Sequence, residues 1–145
     1  MASKLYGQFL SQALNKEIDW DTDTIKVALL TNSYTPDQDS HNYFDDVSTY
    51  EVSGATGYTS GGNTLTNKTN TYNSGTNTIV LDADDTTWSS STITARYAVI
   101  YDASPATNAT RPLIGYVDFG SDQSSSNGNF TITWDSTGIV RVTVA

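Results

Sequence analysis

The sequence predicts a mainly β fold, an antiparallel β-sandwich or small barrel with one N-terminal α-helix. Three observations predict it. Apolar residues fall in short runs at roughly regular spacing, separated by intervals rich in turn formers. The acidity comes mostly from Asp, with Glu only at Glu17 and Glu51, and Asp favours turns and caps over helix interiors. Only one segment carries a convincing helical period. Uncharged polar residues dominate, with 23 Thr, 17 Ser and 11 Asn against 16% charged residues. That composition alone would suit disorder, but aromatic residues reach 11% and the apolar residues are clustered, so the chain is expected to fold. Its 145 residues suit one core and are too few for two ordinary ones. We therefore expect a single domain over 1–145, with a helix at about 3–16 and a β-domain at about 24–145.

The expected helix runs from Ser3 to Lys16, where Tyr6, Phe9, Leu10, Ala13 and Leu14 recur on one face. Ser3 is its N-cap, Gly7 weakens it, and the turn formers of Asp19-Trp20-Asp21-Thr22-Asp23 end the pattern. Thr24 to Leu30 reads as a strand and Thr31 to Asn42 as a loop. Tyr43 to Val47 reads as a helical turn or an edge segment. Gly54 to Asn77, with Tyr58, Leu65 and Tyr72 as its bulky anchors, suits short exposed strands joined by turns and is expected to be partly mobile.

Five further strands are expected at Thr78–Leu81, Ile93–Tyr101, Leu113–Phe119, Phe130–Trp134 and Ile139–Val144. Phe130, Ile132 and Trp134 alternate with Thr131 and Thr133, which puts one face in the core and the other in water. In the Ile93–Tyr101 run, Ile93, Tyr97, Val99 and Tyr101 share one face while Ala98 and Ile100 make the other apolar too. That strand is expected at the centre of a sheet, covered on both sides. Val140, Val142 and Val144 share a face just before Ala145, so the last strand is expected to be tied into the sheet or donated to a neighbour, and truncation there to be poorly tolerated.

A net charge of −9 with only seven Lys and Arg, scattered along the chain, argues against nucleic acid as a partner, because affinity for phosphates comes mainly from such residues. The absence of cysteine excludes disulfides, thiolate metal sites and cysteine nucleophiles. Met1-Ala2-Ser3-Lys4-Leu5 lacks the apolar stretch of a signal peptide and no segment approaches membrane-spanning length, so a soluble chain that meets no membrane is expected.

No catalytic constellation emerges, so neither catalytic, cofactor-binding nor metal-ligating residues are assigned and no enzyme is expected. His41, the one histidine, has Asp39, Asp45 and Asp46 nearby in sequence, a setting for acid–base work or metal binding. No nucleophile motif accompanies it, and it is read as a solvent-exposed loop histidine. The carboxylates of Asp82-Ala83-Asp84-Asp85 and of the 19–23 cluster have the alternate spacing used for calcium, without the glycine and terminal glutamate of an EF-hand. They are read as turns and caps, with calcium between loops as the alternative. A glycosidase pair would need a separation in space that sequence does not supply. Trp20 and Trp88, beside Asp-rich turns, are read as plugs at the core edge whose ring N–H finds a partner, with sugar stacking as the alternative, shared with Tyr34, Tyr43, Tyr50, Tyr58 and Tyr72. Trp134 is placed in the core. Gly57-Tyr58-Thr59-Ser60-Gly61-Gly62 lacks the lysine and helix of a phosphate loop and reads as a flexible turn. Asn-x-Ser/Thr matches at Asn67, Asn108 and Asn129 carry little weight in a chain without a secretion signal.

Several segments, taken in order, resemble a known group. They are Ile18-Asp19 with Asp23 to Leu30, Gly57 to Gly62, Leu81 to Trp88, Arg96 to Tyr101, Pro112 to Gly120 and Phe130 to Asp135. Together they look like the small virion proteins encoded among the head genes of tailed bacteriophages, over nearly the whole chain. The resemblance implies a late virion structural protein, foremost a head decoration or capsid cement protein. Such a protein is made in the host cytoplasm, forms a homotrimer on the capsid exterior and touches the major capsid protein. It carries over no active-site residues. The N-terminal segment and the Gly54–Asn77 loops are the expected capsid contacts, since terminal and glycine-rich segments suit ordering on binding. Alternatives are a neck, tail or fibre protein with glycan-contacting loops, against which the lack of repeats or heptads speaks, and a carbohydrate-binding module.

Overall fold

Residues 2–144 are described by a computed structural model. Strands account for 44% of it and helices for 9%, and the architecture is sandwich-like rather than a closed barrel. The elements in order are β1 (Ala2–Leu5), α1 (Phe9–Leu14), β2 (Ile25–Leu30), α2 (Asp45–Ser48), β3 (Asn63–Thr64), β4 (Thr69–Asn73), β5 (Thr78–Asp82), β6 (Thr86–Ser91), β7 (Thr94–Asp102), β8 (Leu113–Ser124), β9 (Gly128–Ile132) and β10 (Val140–Thr143), with one 3-10 turn at Asn108–Thr110. They form antiparallel sheets ordered β1-β8-β7-β2-β3, β10-β5-β4 and β6-β9.

The N-terminus departs most from expectation. The fold has its short N-terminal helix, but Ser3 is no N-cap; it lies in β1, which pairs with β8 from Ala2↔Asp118 to Leu5↔Gly115. An isolated helix of this length is marginal, and the β8 edge offers backbone partners that a helix would forgo. The helix starts only after Gly7, whose N–H donates to the Gln38 carbonyl at 2.9 Å. Its inward face carries Phe9 and Gln12, while Leu10 and Leu14 point to solvent. The expected face of five apolar residues is therefore split, with Tyr6 buried in a different cluster from Phe9.

The central strand behaves as its sequence implies. β7 lies between β8 and β2, with Ala98 and Ile100 in one apolar cluster and Val99 and Tyr101 in the other. Parity breaks at a register irregularity between Ala95 and Tyr97. Ile93 thus sits with Ala98 and Ile100 rather than with Tyr97 and Val99 as expected. A second irregularity sets Ile100 and Tyr101 opposite Gly115 and Leu113, and Leu113 and Tyr116 end on one side of β8 with Ile114 and Val117 on the other. An extra residue in one strand reverses which face its neighbours meet.

The larger core fills the sandwich. Ile25, Val27 and Leu29 of β2 meet Leu81, Trp88, Phe130, Ile132 and Val140 from the two smaller sheets. On the other side of the five-stranded sheet, Tyr6, Tyr34, Phe44 and Val47 from the connecting segments close over Ala28, Leu30, Val99 and Tyr101. Phe44 stacks on Tyr101 at 3.9 Å between ring centroids and 7° between planes. The Tyr43–Val47 segment is thus a helical turn whose inner side covers the sheet. β10 pairs with β5 from Val140↔Leu81 to Thr143↔Thr78, which ties the last strand into the fold; Ala145 lies outside the described residues.

Candidate functional site

The Gly57–Gly62 segment is pinned down. Glu51, held beside the end of β2 by a bridge to Leu30, accepts hydrogen bonds from the Tyr58 hydroxyl at 2.6 Å, the Ser60 hydroxyl at 3.1 Å and the Gly61 N–H. The Leu29 N–H donates to Tyr58 at 3.0 Å and Tyr101 donates to the Gly61 carbonyl at 2.8 Å. At Gly62, φ is +73° and an added Cβ would lie 1.8 Å from the Val27 carbonyl oxygen, so only glycine lets this loop reach the strand. Burial, followed by the adjoining Glu51, pushes the Tyr58 hydroxyl well above its ordinary pKa. A segment so fastened is a structural clamp, where a flexible turn was expected.

The Asp-rich turns are tied to the chain's own backbone. Asp19 accepts the Asp21 and Thr22 N–H groups, and Asp23 accepts the Asp19 N–H at 2.8 Å. Asp82 accepts the Ala83 N–H, Asp84 the Asn67 side-chain amide at 2.6 Å, and Asp85 the Trp134 N–H at 2.9 Å. The side chain and N–H of Thr22 hold Asp19 below the usual carboxylate range, and the hydroxyl and N–H of Thr137 do the same for Asp135. Among the described residues no group of three or more His, Asp or Glu is arranged to hold a metal ion.

His41 is half-buried rather than a free loop side chain. Its ring stacks on Tyr34 at 5.6 Å and 30°, with Nδ1 3.0 Å from the Tyr34 hydroxyl, which is 2.7 Å from the Tyr6 hydroxyl. The Asp37 N–H also points at Nδ1, at 3.4 Å, which fits Nδ1 as the acceptor of this relay. Burial pushes Tyr34 up to about 12 and Tyr6 further still, its second cause being Tyr34 itself. Hydroxyls this reluctant to ionise serve as hydrogen-bond links rather than as bases. Of the acids near His41 in sequence, Asp46 instead accepts the Asn42 and Tyr43 N–H groups.

Sequence reasoning missed Asp102. At the end of β7 it is fully buried; Oδ1 accepts the Ser104 N–H at 2.8 Å while Oδ2 has no partner. Burial, then the neighbouring Asp23, raise its pKa to about 6. Its place in an apolar-looking strand end, distant in sequence from Asp23, gave no signal.

Trp20 and Trp88 present no open ring platform. Trp20 is 5% exposed, with its N–H on the Thr69 carbonyl at 2.9 Å, as a core-edge plug requires. Trp88 is 2% exposed and its N–H lacks the expected partner. Trp134 is half-buried against the core and lines a cleft of about 380 Å³ with Lys4, Leu5, Val117, Asp135 and Arg141. That cleft has one carboxylate, two cations and an apolar floor. His41 does not line it. No family model, curated protein or solved structure matches the chain.

Proposed function

We propose that this chain is a structural protein of a tailed-bacteriophage virion, acting as a decoration or cement protein on the exterior of the mature head. The observation that carries the reading is the use made of its acidic turns: their carboxylates bind the chain's own N–H groups, leaving a polar shell suited to contact. The ordered resemblance described above supports the same reading. Binding across capsomer junctions would bury surface present only after the shell expands, and many copies would together raise its resistance to internal pressure. A homotrimer is the proposed form, with the major capsid protein as partner and neither nucleic acid nor membrane as target. Among the described residues no helix is long and apolar enough to cross a membrane. The burial of Trp20 and Trp88 weighs against the carbohydrate-binding alternatives that used them as platforms.

Immunogold labelling of intact virions with an antibody to this chain tests the proposal. Dense label over the head is expected. Label at the neck or tail would move the protein there, and virions without label would overturn the structural reading. Co-sedimentation should show saturable binding to expanded heads and none to unexpanded ones.

A further inference from the structure

The three-stranded sheet β10-β5-β4 carries an apolar strip that leaves the core. Antiparallel partners share a face, so the registers align Leu81 with Val140 and Asn70, and Ile79 with Val142 and Tyr72. Burial falls steadily along this face. Leu81 and Val140 are in the core, Ile79 and Val142 are half-buried against it, and Tyr72 and Val144 are 58% and 49% exposed. Tyr72 is fixed there, its hydroxyl donating to the Asn77 side chain at 2.9 Å, while the Val144 N–H donates to the Asn77 carbonyl at 2.7 Å.

Two further features mark this strip as an interface. Among the described residues β4 has only β5 as a strand partner, and all five of its residues, Thr-Asn-Thr-Tyr-Asn, are exposed; the Trp20 ring N–H takes the Thr69 carbonyl at one end, leaving the edge open from Asn70 to Asn73. Natural sheet edges are usually blunted by lysine, proline or a bulge, and β4 has no lysine or proline and pairs with β5 in unbroken register. The strip itself bears no charge, since Arg141 and Asp82 fall on the opposite face of the sheet. In a chain of net charge −9, copies repel one another over most of their surface. An uncharged face beside an open strand edge is where they can meet without that repulsion, and the unpaired backbone of a strand is met best by another strand.

We propose that the β4 edge, with Tyr72 and Val144 beside it, is the surface through which one copy of this chain binds a second. The proposal names the contact for the self-association put forward above and rests on that part of it, not on the head location. The test is sedimentation velocity on the full chain, comparing wild type with Tyr72→Asp, Thr71→Lys and the control Leu14→Asp, which alters an exposed leucine on α1. Thermal melts by circular dichroism establish that each variant is folded.

The expected result is an oligomeric wild type and control, with Tyr72→Asp and Thr71→Lys folded but sedimenting at monomer mass. The β4 amides should also exchange hydrogen at least tenfold more slowly in the oligomer. A wild type that stays monomeric at every concentration reached would overturn both this proposal and self-association. An oligomer untouched by either β4 variant would overturn this surface alone.

Discussion

The two sides of the five-stranded sheet solve the same burial problem with different chemistry. The side facing the smaller sheets is mainly aliphatic, with Phe9, Trp20, Trp88 and Phe130 added, and apart from the Trp ring N–H groups its contacts need shape alone. The other side is built on tyrosines, so each buried ring brings a hydroxyl that must find a partner. Tyr6 and Tyr34 satisfy each other and reach His41; Tyr101 reaches the Gly61 carbonyl. Tyr34 also meets Tyr50 at 5.5 Å and Tyr97 edge-on at 5.3 Å between centroids. The aliphatic side can tolerate rearrangement among similar shapes, whereas the tyrosine side admits few alternatives because a displaced ring leaves a hydroxyl unpaired.

The largest effect should come from breaking the point both sides share. Gly62→Ala places a Cβ against the Val27 carbonyl at a positive φ, and we expect no cooperative thermal transition near that of wild type. Next, Ile100→Ala should lower stability by about 2–5 kcal/mol in urea titrations, the range for a large-to-small change in a packed core. Tyr34→Phe removes no carbon atom, yet should lower stability by about 1–3 kcal/mol by orphaning the Tyr6 hydroxyl. Adding Tyr6→Phe should then recover part of that loss; a strictly additive double variant would mean the two hydroxyls are not coupled.

The smallest effect has the clearest sign. Asp102 titrates near 6 in the fold, above its unfolded value of about 3.9. The folded state therefore binds the proton more tightly. Stability contributed by the neutral carboxyl is complete below about pH 4 and is lost as pH rises through 6. Asp102→Asn stays neutral and should stabilise the protein by about 1–2 kcal/mol at pH 8, with the gain vanishing at pH 4. Equal denaturation midpoints for the two proteins at both pH values would refute this. Asp19, Asp37, Asp118 and Asp135, whose pKa values are lowered, act the other way and weaken the fold as pH falls below about 4.

Legibility in the sequence followed how local the cause was. β2 and the centre of β7 could be read because Ile25, Val27, Val99 and Ile100 carry their own pattern. β6 could not: Thr-Thr-Trp-Ser-Ser-Ser has one apolar anchor, and its pairing rests on the Thr87–Thr131 hydroxyl contact at 2.9 Å and on Ser91 donating to the Gly128 carbonyl. The expected N-terminal helix is too long because Ser3 suits an N-cap and Tyr6 fits the period of Phe9, Leu10, Ala13 and Leu14, while the β8 edge that captures Ala2–Leu5 lies over a hundred residues on. The parity of Ile93 failed at the irregularity beyond Ala95, which no residue in the run announces. At the candidate site, the Asp turns were legible because their partners are one to four residues away for Asp19, Asp23 and Asp82. The Tyr6–Tyr34–His41 relay and the Asp23–Asp102 approach were not, since each joins segments that only the finished sheet brings together.

The pairing of β1 with β8 also sets a timetable. During synthesis Ala2–Leu5 emerge more than a hundred residues before their partners, Gly115–Asp118. β2 likewise waits for β7, whereas the short β2–β3 pairing and the β4–β5 hairpin can close earlier. Assembly of the main sheet therefore waits until β7 and β8 have been made, and an order dominated by such distant pairings belongs to the millisecond-to-second class of folders. During that interval β1 and β2 lack their main partners, and the abundance of Thr, Ser and Asn along residues 2–82 limits the apolar surface left uncovered.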